Sequence, residues 1–154
     1  MTLNELVAKQ NVLNAILVKD GDKELNKVLK VKVVRLRIAY SKVKKQMDDE
    51  IKEFVDTLLT DDEKAIQGKP EAERTAEEQE TIKTAVDKAN AEYAEFVKQK
   101  SQEEVKESFD DIFTEENFDD IIDLNAGHDF QINDTPITSE ALIEAFYTFF
   151  VNKD

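Results

Sequence analysis

The chain has 154 residues, 36% of them charged, with 21 basic and 35 acidic side chains and a formal net charge of −14. Such a surface repels a phosphate backbone over most of its area, which excludes wholesale nucleic-acid binding, and the lack of cysteine excludes disulfides, thiol catalysis and thiolate metal sites. Three Gly, two Pro and no run near about 18 apolar residues favour long solvent-washed helices in one ordinary domain, soluble and without a membrane span.

Thr2 is followed three residues later by Glu5, a capping box that satisfies two free amides at a helix start. Leu3, Leu6, Val7, Val12, Leu13, Ile16 and Leu17 then recur at helical spacing, and the helix is predicted to stop near Val18, before the turn cluster Asp20, Gly21, Asp22. No basic stretch followed by a sustained apolar run marks a secretory signal.

A second, long helix is predicted from near Glu24. Residues 28–34 alternate as a strand would, yet Leu36, Tyr40, Val43, Met47, Ile51, Phe54 and Leu58 continue without a break in steps of three and four, a narrow coiled-coil stripe with one stutter. The apolar signal collapses between Thr60 and Thr75, where Gly68 and Pro70 turn the chain. Thr75 with Glu78 reads as another capping box, followed by Ile82, Val86, Ala89, Tyr93 and Phe96, and Ala85, Ala89, Ala91 and Ala94 allow close backbone approach. Stripes 36–58 and 82–96 are predicted to pair as an antiparallel hairpin; roughly 30 paired residues would span about 45 Å.

The return helix is predicted either to run on through Val105, Phe109, Ile112 and Phe113 or to give way to a new start at Ser101. Phe109, Phe113 and Phe118 sit among acids, a mixture suited to docking on something basic, and Asn125, Ala126 and Gly127 end that segment. Residues 128–132 read as a short extended segment before an Asn133-Asp134 turn. Thr138 is the predicted N-cap of a last helix so apolar, with Phe146, Tyr147, Phe149 and Phe150, that the first helix or a partner has to cover it.

Charge is the strongest organising signal. Between Lys19 and Gln46 ten basic residues meet three acids, net +7, whereas ten acids meet one Lys between Glu103 and Asp123, net −9. Lys30, Arg37 and Lys44 share a helical face at steps of seven and, with Arg35, form a candidate surface for an acidic protein partner; simple solvation of the charges is the next reading and nucleic acid the third. The aromatic residues Phe109, Phe113, Phe118, Phe146, Tyr147, Phe149 and Phe150 are the other candidate contacts. Catalytic and metal signals are thin: the single His128 has no partner at defined spacing, the oxygen-rich run from Asp123 has His128 where a calcium loop needs Gly and Asp134 where it needs Glu, and acid doublets point about 100° apart on a helix. No catalytic residue, cofactor or metal is expected.

The layout is therefore a mainly α protein: one domain over 1–154, with 1–35 and 101–154 as a small α-rich base holding a short extended segment near the C-terminus, and 36–100 as a long coiled-coil-like hairpin arm. The first helix, the stretch VLKVKVVRLRIAYSKVKKQMDDEIKEFVDTLL (28–59) and the ending DFQINDTPITSEALIEAFYTFF (129–150) resemble small proteins of tailed bacteriophages encoded among structural and morphogenesis genes. The resemblance implies a non-enzymatic virion structural or assembly protein, a homo-oligomer such as a ring or connector that also binds other virion proteins, located in the virion after assembly in the host cytoplasm. The alternative is an assembly chaperone or adaptor, and the third reading a nucleic-acid-contacting virion protein using residues 19–46.

Overall fold

Thr2 caps α1 (Leu3–Ala15) as its sequence requires: its hydroxyl accepts the Glu5 N–H at 3.2 Å while the Glu5 carboxylate accepts the Thr2 N–H at 2.7 Å. The computed structural model describes residues 1–151 and is mainly helical, with two small antiparallel sheets. α1 ends three residues short of the predicted stop, because residues 19–24 form a hairpin of β1 (Lys19–Asp20) and β2 (Lys23–Glu24) turned by Gly21 at φ 59°.

α2 (Lys27–Asp56) is one continuous helix of 30 residues. Its start is capped by Asn26, whose side-chain oxygen accepts the Leu29 N–H at 2.9 Å. The strand-like alternation of 28–34 yields to helix because Leu29, Val33, Leu36, Tyr40 and Val43 all fall on one buried face. Two compact units divide the chain: Met1–Lys44 with Glu104–Asp154, here the core unit, and Lys45–Glu103, the hairpin unit.

In the core unit α1 packs against α6 (Ser139–Phe150), and α6 against α5 (Glu115–Asn125). Leu6, Leu13, Val33, Tyr40, Phe113, Ile121, Leu142 and Phe146 are fully or nearly fully buried. β3 (Phe130–Ile132) and β4 (Thr135–Ile137) pair antiparallel through Asn133 and Asp134, both at positive φ as a two-residue type I′ turn needs. The extended segment predicted at 128–132 is thus half of a hairpin; in its second strand the β-branched Thr135 and Ile137 flank Pro136, which suits a sheet edge. Thr138 is the N-cap of α6, accepting the Ala141 N–H at 3.2 Å.

In the hairpin unit the last part of α2 runs antiparallel to α4 (Ala76–Gln102): Phe54 stacks on Phe96 with ring centroids 4.0 Å apart, and Lys100 pairs with Glu50. The predicted register of 36–58 against 82–96 is corrected by these pairs. Leu36, Tyr40 and Val43 belong to the core unit, so the pairing stripe of α2 begins near Met47. Ala91 and Ala94 are exposed rather than in the seam.

The link between the two helices is more ordered than a polar turn. α3 (Asp61–Gln67) has a full capping box from Thr60 and Glu63, and one 3-10 turn follows at Glu71–Glu73. Arg74 gathers the loop by donating to the carbonyls of Ile66, Gln67 and Lys69 at 3.0–3.2 Å. At Thr75 only half the predicted box forms: Thr75 accepts the Glu78 N–H, while the Glu78 carboxylate takes Lys69 at 3.0 Å instead. α4 stops at Gln102, so neither its predicted continuation nor a new helix from Ser101 exists; residues 103–114 run as an irregular acidic strap.

Candidate partner-binding face

The helix α2 sorts its side chains by angle. Residues 29, 33, 36, 40 and 43 enter the core, which leaves Val28, Val31, Val34, Arg35, Ile38 and Lys42 on the outward side. Val28 is 81% exposed and Ile38 65%, aliphatic side chains that a solvent-facing helix ordinarily replaces with polar ones. Between Glu24 and Asp48 the sequence holds eight cations and no acid. Of these, Lys27, Arg35 and Lys42 are exposed on the outward side, so the face is aliphatic with a cationic excess, and Glu24 and Asp110 stand at the rims of its grooves.

Two shallow grooves flank this stripe and share Lys27, Val31 and Arg35. One, of about 690 Å3, is closed by Leu25, Lys30 and Val34; the other, of about 600 Å3, by Val28, Leu36, Ala39 and the strap residues Ser108, Phe109 and Asp110. The strap lies against the flank of α2 through charge and ring contacts. Lys32 donates to Asp110 at 3.1 Å and also to the Ile112 carbonyl, and its ammonium sits 4.8 Å over the Phe113 ring. Asp111 accepts from Lys9 at 2.8 Å and from the Tyr40 hydroxyl, and the Phe109 ring meets Tyr40 edge-on at 4.8 Å. Burial first, then the Asp111 hydrogen bond and its charge, push the Tyr40 phenol up, so it stays a neutral donor.

The basic candidates separate into different roles. Arg35 is exposed on the outward face. Lys30 pairs with Glu24, and that hydrogen bond holds the Glu24 carboxyl below its ordinary range. Lys44 is half-buried. Arg37 is a correction: Nε donates to Leu13 O at 2.9 Å and Nη2 to Ile16 O at 2.6 Å, so it caps the C-terminal carbonyls of α1, and burial lowers its pKa. A guanidinium fits because α1 has no basic residue in its own last turn.

Most of the aromatic candidates are corrected too. Phe113, Phe118, Phe146 and Phe150 form one internal cluster with centroids 4.9–6.3 Å apart, and the Phe113 N–H donates to Phe150 O at 2.6 Å. α1 and α5 cover α6, so these rings make core and not surface. Phe109, Tyr147 and Phe149 are half-buried; the Tyr147 hydroxyl donates to Glu115 at 2.8 Å, which raises its pKa.

Two polar residues matter more than their sequence context suggests. Asn125, fully buried, accepts the Leu17 N–H at 2.7 Å and donates to Leu17 O at 3.2 Å and Ile121 O at 2.9 Å, tying the chain after α1 to α5. Buried Ser139 accepts the Gly127 N–H at 3.1 Å, joining the end of α5 to the start of α6. An Asn at a helix end is the one signal that marks the first. His128, exposed in part, lies 2.9 Å from Asp20 through Nε2. Among the described residues no group of three or more His, Asp or Glu side chains could hold a metal ion, and no helix is long and apolar enough to cross a membrane. No family model, curated protein or solved structure matches this chain.

Proposed function

We propose that the chain is a non-enzymatic structural or assembly protein that works through protein–protein contacts, as a component of a tailed-phage particle. The observation that carries the contact role is the outward side of α2, where exposed Val28, Val31, Val34 and Ile38 stand beside the exposed cations Lys27, Arg35 and Lys42. Exposed aliphatic side chains on a helix whose opposite side is already buried gain nothing from water; they gain by being covered. The resemblance of residues 28–59 and 129–150 to small phage structural proteins supports the setting. Mass spectrometry of particles purified from the system that encodes the chain tests it. Presence at fixed stoichiometry is expected; absence from finished particles, with presence in assembly intermediates, favours the chaperone reading, and absence from both overturns the proposal.

A further inference from the structure

We propose that the outward face of α2 docks an acidic, aliphatic-bearing segment of a different protein, using Val31 and Ile38 as apolar anchors and Lys27, Arg35 and Lys42 to fix the segment's charge. This names the partner chemistry for the contact role just proposed and rests on it.

Three observations select that occupant. First, the chain already lays one acidic, apolar segment of its own along the neighbouring flank of α2: the strap sets Asp110 on Lys32 and Phe109 on Tyr40, and one of the two grooves opens directly beside it. Second, a second copy meeting this face about a two-fold axis would bring the Lys27, Arg35 and Lys42 set against its own image, and the acids at the groove rims, Glu24 and Asp110, are already paired with Lys30 and Lys32. Nor does the acidic run of another folded copy answer: α5 exposes Glu115, Glu116, Asp119, Asp120 and Asp123 with only the half-buried Ile122 to cover the valines. The strap has Phe109 and Phe113 already packed on Tyr40 and Phe146, which leaves Ile112 as its one exposed apolar side chain, whereas a free peptide of the same sequence offers them all. Third, nucleic acid would meet the cations and leave Val28 and Ile38 uncovered, because phosphates do not bury aliphatic carbon and the stripe carries no aromatic ring for base stacking.

Fluorescence anisotropy with the full chain tests this. The probe is a labelled peptide copying residues 103–123, which has the acidic and apolar character required, beside the same peptide with every Asp and Glu replaced by its amide. The protein is expected to bind the acidic probe, to bind the amide probe far less, and to lose roughly tenfold in affinity on Arg35→Glu or Ile38→Ser. Both positions are exposed, and unchanged helicity by circular dichroism confirms that the variants fold. No binding of the acidic probe, or binding by either variant as tight as by the unaltered chain, overturns the proposal. So does tight binding of short duplex DNA that Arg35→Glu abolishes while the peptide is ignored, or self-association in sedimentation that Ile38→Ser removes. Failure of the phage setting would show in particle composition and leave peptide binding intact.

Discussion

The core unit and the hairpin unit are both helical and both striped, yet they are held together differently. Of the 21 buried apolar side chains among the described residues, 20 lie in the core unit and one, Ile82, in the hairpin unit. The hairpin relies on half-buried contacts such as Phe54 on Phe96, on the Lys100 pair with Glu50 and Glu103, and on the Arg74 wrap. Burial at about 25 cal/mol per Å2 of apolar surface outweighs exposed ion pairs worth at most about 1 kcal/mol each, so the two units should differ widely in local stability. A coiled-coil stripe specifies that helices meet, not how deeply.

Substitutions in the two units should therefore differ in size as well as place. Phe146→Ala removes a ring with no solvent exposure from the centre of the aromatic cluster and is expected to cost about 3 to 5 kcal/mol, read as a fall in thermal midpoint of the whole chain. Asn125→Ala leaves the Leu17 N–H and carbonyl without their side-chain partner, at an expected cost of about 2 to 3 kcal/mol in denaturant unfolding, with Asn125→Asp failing to rescue because it lacks the donors. Phe54→Ala, its half-buried counterpart in the hairpin unit, should cost about 1 kcal/mol; hydrogen exchange should quicken over residues 76–102 while the core amides keep their protection.

The smallest effect is one of pH. The Thr2 N–H bond to Glu5 and the Lys30 contact to Glu24 hold both carboxyls below their ordinary 4.5. A depressed folded-state pKa contributes stability that is complete above 4.5 and is lost as the pH falls through the folded value, so acidification below that point should lower the midpoint. Glu24→Gln should make the decline shallower.

How legible each part was in the sequence follows from how local its cause is. The Thr2 box, the Thr138 cap and the continuity of α2 through 28–34 depend on residues within a turn or two of one another, and all could be read. The Thr60 and Glu63 spacing carried the same signal for α3 but lay in a stretch without apolar periodicity. The hairpin register could not be read, because Leu36, Tyr40 and Val43 continue the same stripe as Met47, Ile51 and Phe54, and periodicity does not say what covers each part. Arg37 looks like its neighbours in a basic run; only the approach of α1 makes it a cap. The acidic and basic runs read from the sequence as surfaces for other molecules, copies of the chain or a matching partner, whereas Lys32 with Asp110 already joins them within the chain.

Zero-length carbodiimide cross-linking of intact particles, followed by peptide mass spectrometry, reads the outward face of α2 most directly. Carbodiimide joins an amine to a carboxylate only where the two already touch, so it asks both where the contact is and whether its partner is acidic. The expected result is Lys27 or Lys42 joined to Asp or Glu of a different particle protein, with the links lost in Arg35→Glu particles. Links from these lysines only to carboxylates of this same chain, or none while other lysines of the chain couple to neighbours, would contradict a partner-binding role for this face.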